Sequence, residues 1–482
     1  MTAARLAWAG VLLLVGCTVG PDFRPPDPGA PGDWGAVRTD VRSRTSTDEA
    51  DPQWWTRFND PELSALAARI AAQNLDLQAA AERVLQARAQ RAVVASQGLP
   101  QVSARSSYER TRISPTGNPG AIVLTRPGAP VEFDLFRNGL SSSWDLDLFG
   151  RVRRGVEAAE ADTQAAVEDR RGIALAALAD LAQDYLQLRG IQAQRVIAER
   201  NQELARQNTA LVRHRLDNGV ATTLDMARAR AQEPTIAATV PPLRAQEAAA
   251  INAIGLLLGE APRALEAELK PRAAQPGVPA LVPVGLPATL VRRRPDLRQA
   301  EARLHSATKQ VGVAEAEFYP DVTLNGSASL QSLQFKDAFN LYSSAFQVGP
   351  SISLPIFQGG RLRGTLRLRE AQQRETAVAF RRTLLGAWQE VDNALTAFAE
   401  AQAREREVAD AVAQNEVALR AARQRYAEGA VDFLDVNTAQ AQLLQSQNDL
   451  ASSRTQIATG LVTLYRALGG GWEIAEAAPS RP

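Results

Sequence analysis

Little in this 482-residue chain is equipped for reaction chemistry. A metal centre needs several converging ligands, and a nucleophilic triad needs a nucleophile, a base and an orienting group within reach of one another. The two histidines, His214 and His305, lie far apart, each in a charged, helix-like context where it reads as a solvated position. The single cysteine, Cys17, excludes an internal disulfide and a cysteine metal cluster. Neither a phosphate loop nor a dinucleotide fingerprint is present. Arg292-Arg293-Arg294 runs straight into Pro295 and Asp296, which suits local ion pairs better than an anion site. A net charge of +1 gives no bulk attraction for nucleic acid. These features point away from an enzyme and require no cofactor or metal. What remains is a set of polar residues at two chain reversals: Asp225 beyond Gly219, and Tyr426 and Asp435 on either side of Gly429. Two carboxylates so placed can serve as helix caps, three residues after Thr222 and Asp432. Tyr426 reads equally as an apolar seam residue.

The elements that must position these residues are long helices. Arg361 to Leu468 contains no proline, a residue that costs about 3 kcal/mol inside a helix. Leu384, Trp388, Val391, Leu395 and Phe398 recur at alternating steps of four and three, the seam one helix presents to a neighbour. Gly429 is the natural stop, because glycine enters the left-handed cap freely, and Asp432 can cap a new helix. The stretch reads as two antiparallel helices, the first, Arg361 to Tyr426, roughly 100 Å long at 1.5 Å per residue.

The same stretch occurs twice. Gly219 and Gly429 stand 210 residues apart, as do Asp225 and Asp435, and Gly259 and Gly469. The seam repeats as Ala174, Leu178, Leu181, Tyr185 and Leu188. Upstream, Leu99-Pro100-Gln101 matches Tyr319-Pro320-Asp321 at an offset of 220, the difference falling in a longer loop of the first half. An internal duplication therefore precedes any domain division. Pro234, Pro241 and Pro242 have no counterpart in the second half and predict a kink or break in its first-half return helix.

Between the helices the pattern changes to alternation. Leu140, Trp144, Leu146 and Leu148 alternate with Ser141, Ser143, Asp145 and Asp147, opposite a strand near Val102 to Tyr108. Ser114 to Pro130 forms the loop between them. Val322, Leu324, Ala328 and Leu330 alternate likewise, as do Phe346, Val348, Ile352, Leu354 and Ile356. Ten residues at 3.4 Å each and a tilt near 45° cover roughly 24 Å, the height of an outer-membrane barrel's apolar band. Four strands cannot close a barrel, and open edges are not tolerated in lipid. Strands in a membrane would therefore have to be shared by several chains, three of them giving twelve. The rival reading is a soluble β-domain with helical arms.

At the amino terminus, Arg5 precedes a short apolar run, Leu6 to Val15, too short to span a bilayer. Leu14-Val15-Gly16-Cys17 resembles the bacterial lipoprotein box, which implies cleavage before Cys17 and acylation of it. The alternative is a signal peptide with an incidental cysteine. Pro21 to Asp51 reads as a tether, and Trp54, Trp55 and Phe58 as aromatics packed against the body.

Taken in order, Cys17-Thr-Val-Gly-Pro-Asp-Phe23, Trp54-Trp-Thr-Arg-Phe58, Trp144-Asp-Leu-Asp-Leu-Phe-Gly-Arg151, Arg293-Arg-Pro-Asp296, Phe318-Tyr-Pro320 and Leu354-Pro-Ile-Phe-Gln-Gly-Gly-Arg361 resemble the outer membrane factor family, in its NodT-like lipoprotein branch. The resemblance implies a mostly α fold with transmembrane β: an internally duplicated, coiled-coil α-barrel, and four strands per chain in a shared twelve-stranded β-barrel of a homotrimer. It implies outer-membrane lipid around the barrel, and a periplasmic adaptor and an inner-membrane RND-type pump as partners. It further implies a periplasmic gate at Asp225, Tyr426 and Asp435, with Gly219 and Gly429 at the helix-turn tips. Where some members carry a basic residue two after the turn glycine, this chain has Val431.

The expected organisation is a signal peptide 1–16, a lipidated tether 17–59, a first repeat 60–277 (β-hairpin 101–149, helical hairpin 151–259), a second repeat 278–470 (β-hairpin 321–357, helical hairpin 361–468) and a tail 471–482. Three functions follow: a passive duct for drugs or metabolites, the same duct in a type I protein-secretion system, or a lipid-anchored periplasmic scaffold with no pore.

Overall fold

The computed structural model describes residues 18–35, 41–114, 132–271 and 273–476. Cys17 and the leader lie outside these residues, as does the loop from 115 to 131. The strands are β1 (Arg44–Ser46), β2 (Gln101–Arg112), β3 (Glu132–Asp145), β4 (Leu281–Pro283), β5 (Asp321–Ser332) and β6 (Ser344–Ser353). The main helices are α1 (Pro61–Gln73), α2 (Leu75–Ser96), α3 (Arg151–Asp217), α4 (Thr223–Ala237), α5 (Val240–Leu257), α6 (Pro295–Ala316), α7 (Arg361–Glu428) and α8 (Phe433–Ala467). Among the described residues no helix is long and apolar enough to cross a membrane.

Helices α3 and α7 run unbroken for 67 and 68 residues. The return strokes differ. Helix α8 is continuous over 35 residues, whereas the first-half return is broken at Ala238-Thr239. Pro234 sits inside α4, and the break comes only after it, with Pro241 and Pro242 in the opening turn of α5 where a missing N–H costs nothing.

The chain forms two compact units, each drawing on both repeats: residues up to 25 with 85–165 and 301–379, and residues 26–84 with 166–300 and 380–482. The first unit holds a four-stranded antiparallel sheet in the order β2-β3-β5-β6. The central pairing, β3 to β5, joins the two hairpins. Beneath the sheet, Asp147 starts α3, its carboxylate accepting from the backbone N–H of Val152 and Arg153 at 2.8 and 2.9 Å. The segment after Cys17 is docked here. Arg154, almost fully buried, donates to the carbonyls of Val19 and Gly20 at 3.0 and 3.1 Å and to Asp22 and Glu157. Gly20 packs so closely on Gly312 that a Cβ would come within 2.4 Å of its Cα. His305 is not a solvated position: its ring stacks on Phe23 with centroids 4.5 Å apart. His214 is exposed.

The second unit holds the main core. The seam residues Ala174, Leu178, Leu181, Tyr185 and Leu188 are fully buried, and Leu384, Val391, Leu395 and Phe398 nearly so. Trp54, Trp55 and Phe58 close this core, Trp54 stacking on Tyr465 and donating its indole N–H to the carbonyl of Gly470 at 3.0 Å. Short parallel strands β1 and β4 lie beside it. The arginine run makes ion pairs, one local as expected, Arg294 with Asp296, and two with residues distant in sequence, Arg294 with Glu390 and Arg293 with Glu49.

Candidate functional site: the sheet face and the helix-hairpin tips

The strand register decides what the sheet can do. Every pairing joins residues of like parity: Ala104 faces Leu140, Leu140 faces Ala328, and Ala328 faces Phe346. Even-numbered residues of all four strands therefore share one face and odd-numbered residues the other. The even face carries Val102, Ala104, Leu140, Trp144, Val322, Leu324, Ala328, Leu330, Phe346, Val348 and Ile352. Phe346, Val348 and Ile352 are 86%, 71% and 70% exposed, so along β6 this apolar face is uncovered by the described residues of its own chain. The odd face carries Gln101, Ser103, Ser141, Ser143, Asn325, Ser327, Gln347 and Ser351, which line a hollow of about 730 Å³. One side is built for hydrocarbon and the other for water.

Aromatic rows flank the apolar face. At its lower edge Phe149 stacks on Tyr319 at 4.9 Å, and Trp144 donates to the carbonyl of Gly98 at 2.9 Å. At its upper edge Tyr108 packs on Phe136 at 5.0 Å. Phe136 and Trp144 stand eight positions apart in β3, about 27 Å of strand and roughly 20 Å of height once tilted, close to the ~25 Å band of outer-membrane barrels. Above the upper row the same face turns ionic, Arg110 pairing with Glu132 and Asp134.

Three strand boundaries differ from the sequence pattern. Strand β2 runs on to Arg112, β3 stops at Asp145 before Leu146 and Leu148, and β6 stops at Ser353 before Leu354 and Ile356. Past β3 the Leu146 N–H still donates to the carbonyl of Val322 at 3.0 Å, and Asp147 then turns to a φ of +44°, which ends the alternation before α3; past β6 the chain runs unpaired to the left-handed Gly359 and Gly360 ahead of α7. Pro350 lies within β6, opposite Leu324, on the outermost strand of the chain's own sheet.

The second place of interest is the pair of reversals. Gly219 and Gly429 hold φ of +74° and +81°, the left-handed stop that glycine supplies. Around them Val212, Met226, Leu419, Tyr426, Phe433 and Val436 form a small buried cluster. Asp225 completes a capping box: its backbone N–H donates to Thr222 Oγ1 at 3.1 Å, and its Oδ2 accepts from the Thr222 N–H at 3.1 Å and hydroxyl at 2.8 Å. The second repeat does not repeat this. Asp432 is the N-cap of α8 but makes no side-chain cap bond. Two carboxylates cannot donate to each other as Thr222 donates to Asp225. Asp435 is left exposed, without a partner among the described residues.

Tyr426 is buried, its ring edge-on to Phe433 at 5.6 Å. Its hydroxyl is buried with no hydrogen-bond partner among the described residues. Burial raises its pKa, the charge of Asp225 adds to the rise, and Arg215 opposes it. Arg215 is the residue the sequence reading missed. Its guanidinium lies 4.8 Å over the Tyr426 ring, and its Nη1 donates to the carbonyls of Tyr426 and, at 2.6 Å, Ala427. A cation thus closes the end of α7 from the neighbouring helix rather than from its own turn, where Val431 packs on the tip cluster. Its signal in the sequence is a register mate: Arg425 stands 210 residues on.

Comparison with known proteins bears on the whole chain. The family described as outer membrane efflux protein matches residues 66–260 and 286–470. Nodulation protein T of Rhizobium leguminosarum bv. viciae is 31% identical over 482 residues, covering 100% of this chain and 96% of the relative. The toluene efflux pump outer membrane protein TtgF of Pseudomonas putida is 32% identical, covering 98% of each. Among solved structures, the outer-membrane channel OprN superposes with a TM-score of 0.87 at 33% identity, over 95% of this chain and 100% of that one.

Proposed function

This chain belongs to the outer membrane efflux protein family and is an outer-membrane efflux channel; from that premise we propose how its own residues build and close the conduit. Three copies share one β-barrel. The observation that carries this reading is the pair of open edges, β2 and β6, on a sheet with one apolar face. In hydrocarbon each unpaired backbone group costs several kcal/mol, so the edge of one copy must meet the edge of the next. Two copies would give eight strands, an interior filled by side chains, whereas three give twelve and leave room for a lumen lined by the serine-rich odd face. Small molecules, drugs or metabolites, then pass through that lumen down their gradient.

The tips around Gly219 and Gly429 form the periplasmic gate. Asp435 faces the three-fold axis with its charge unneutralised, and Asp225 stands beside Tyr426, whose buried ring packs the tip from within. Exposed Val220, Leu224 and Leu434 at the same tips give a periplasmic adaptor an apolar footing, and the adaptor links the channel to an inner-membrane pump of the RND type. Cys17 carries the lipid anchor. The docked segment from Thr18 onward fits this, since the Val19 N–H donates to the carbonyl of Phe149 at the foot of the sheet, at 3.2 Å.

The test is the mass of the Cys17→Ser protein in detergent, together with conductance in planar bilayers. Three copies per particle, a continued need for detergent and ion conduction are expected. A monodisperse monomer in plain buffer would overturn the reading in favour of a scaffold without a pore.

A further inference from the structure

The turn between β5 and β6 does something the channel does not require of it. It runs from Leu333 to Ser343 and contains two single turns of 3-10 helix. It is unusually apolar for a turn, and its apolar side chains are exposed: Phe335 71%, Phe339 71%, Leu341 82% and Tyr342 97%. Single exposed hydrophobics are ordinary, but four within eight residues form a patch that needs an occupant.

Its direction identifies that occupant. The turn does not lean over the polar hollow. It folds back onto the opposite face. The amide nitrogen of Asn138, an even-face residue, donates to the carbonyl of Ala338 at 3.0 Å, and Ala338 is buried by the contact. Phe335 meets Phe136, also an even-face residue, edge-on at 5.6 Å. The turn thus extends the aromatic row of Tyr108 and Phe136 on the apolar side, at the level where that face passes from apolar to ionic. Aromatic side chains with one wet and one greasy end are favoured at such an interface, and the exposed Lys336 can hold its charge in the headgroups while its stem stays apolar.

We propose that the Leu333–Ser343 turn is a lipid-seated collar, placing Phe335, Phe339, Leu341 and Tyr342 among the acyl chains of the outer leaflet. The inference rests on the apolar face being the membrane face. It has a consequence for transport, because a turn held outward leaves the mouth of the lumen uncovered.

Variants with one added cysteine test it in the full chain, with the parent protein, whose single cysteine is Cys17, as the labelling blank. Spin labels are placed at Phe339→Cys and Tyr342→Cys, with Phe346→Cys on the apolar face and Gln347→Cys on the polar face as references. Each is read in lipid nanodiscs for collision with oxygen, which concentrates in acyl chains, and with a water-soluble nickel chelate. Labels at 339 and 342 are expected to favour oxygen several-fold, as at 346, while 347 favours nickel. Nickel preference at 339 and 342 with oxygen preference at 346 overturns the collar alone. Shielding from both reagents at 339 and 342 also overturns it, and assigns the patch to a neighbouring copy. Nickel preference at 346 as well removes the membrane face itself, and the collar falls with it.

Discussion

Replacing Arg215 by alanine should loosen the end of α7 and raise the time the channel spends open. The size of the effect follows from three contacts. A cation over an aromatic ring contributes about 0.5–2 kcal/mol depending on solvent exposure. A hydrogen bond from a charged donor contributes about 1.5–3 kcal/mol, and Arg215 makes two, to the carbonyls of Tyr426 and Ala427. A positive charge at a helix carboxyl end adds about 0.3–1 kcal/mol. These do not add, because one guanidinium makes all three and water replaces part of what is lost. A net loss of about 2–3 kcal/mol is the reasonable figure, which at 1.4 kcal/mol per decade shifts the opening equilibrium by about 30- to 150-fold. The assay is single-channel recording in planar bilayers, read as the fraction of time in high-conductance states. Arg215→Lys should fall between parent and alanine, since lysine keeps the charge but not the planar fork. Arg213→Ala, two residues away, exposed and without a partner among the described residues, should behave as the parent. If Arg215→Ala and Arg215→Lys both gate as the parent does, the arginine only packs the tip, and the reasoning from its contacts to closure is wrong.

Gly139→Val should weaken the sheet at the seam between the two hairpins. A Cβ there would lie 2.5 Å from the Ser329 Cβ and 2.6 Å from the Ala328 carbonyl oxygen, so β3 and β5 must separate at a cost of about 1–3 kcal/mol; the temperature at which the assembled barrel dissociates on a denaturing gel should fall. Gly190→Ala should destabilise the crossing of α3 and α8, because the new Cβ would meet Thr455 Oγ1 at 2.2 Å. Adding Thr455→Ala should restore most of the loss in thermal midpoint followed by helical dichroism, and no restoration would mean the two helices are not fixed at that point. Acidification should undock the segment after Cys17. Burial and the charge of Lys309 hold the His305 imidazole below its usual range, against a pull from Glu157, in a site that also holds Asp22 and Arg154. A depressed folded pKa means this stability is present above the unfolded value of about 6.5 and is lost as pH falls through the lower folded one. The parent's thermal midpoint should drop more than that of His305→Phe between pH 7 and pH 5, and parallel profiles would refute the assignment.

What the sequence revealed and what it concealed follow from the range of the interactions involved. The seam from Leu384 to Phe398 was legible because a heptad pattern is local, and its burial in the core needs no knowledge of the partner. The parity of the sheet was legible strand by strand for the same reason. Pairing β3 with β5 was not, since Phe136 and Ser332 meet across the two halves of the chain and nothing local specifies that register. Arg215 was hidden in the same way: its ring partner lies 211 residues on, and from sequence it is one arginine among many on a helix. The outward fold of the Leu333–Ser343 turn involves Asn138, which lies before the alternating run that starts at Leu140 and meets Ala338 200 residues on. Local alternation also misled at Leu354 and Ile356, because an extended chain alternates whether or not a neighbour pairs with it.

The duplication makes the departures from it informative. Both reversals stop at a left-handed glycine and both carry an aspartate three residues into the next helix, yet only the first is closed by its own side chains. The Thr222–Asp225 box ties that turn to itself, and breaking it requires separating reciprocal hydrogen bonds within four residues. At the second reversal Asp432 leaves the start of α8 uncapped, Asp435 carries an unpaired charge, and the closing contact comes from Arg215 on another helix. A turn that closes on itself moves as a rigid piece, whereas a turn held by a neighbour can be let go by that neighbour. The two returns differ in the matching sense: α8 is one uninterrupted helix of 35 residues, and the first-half return is interrupted at Ala238-Thr239, where motion at the tip would be absorbed rather than transmitted. In the gate proposed above, displacement of the second tip is therefore the one expected to be driven by an adaptor and carried by the continuous helix α8.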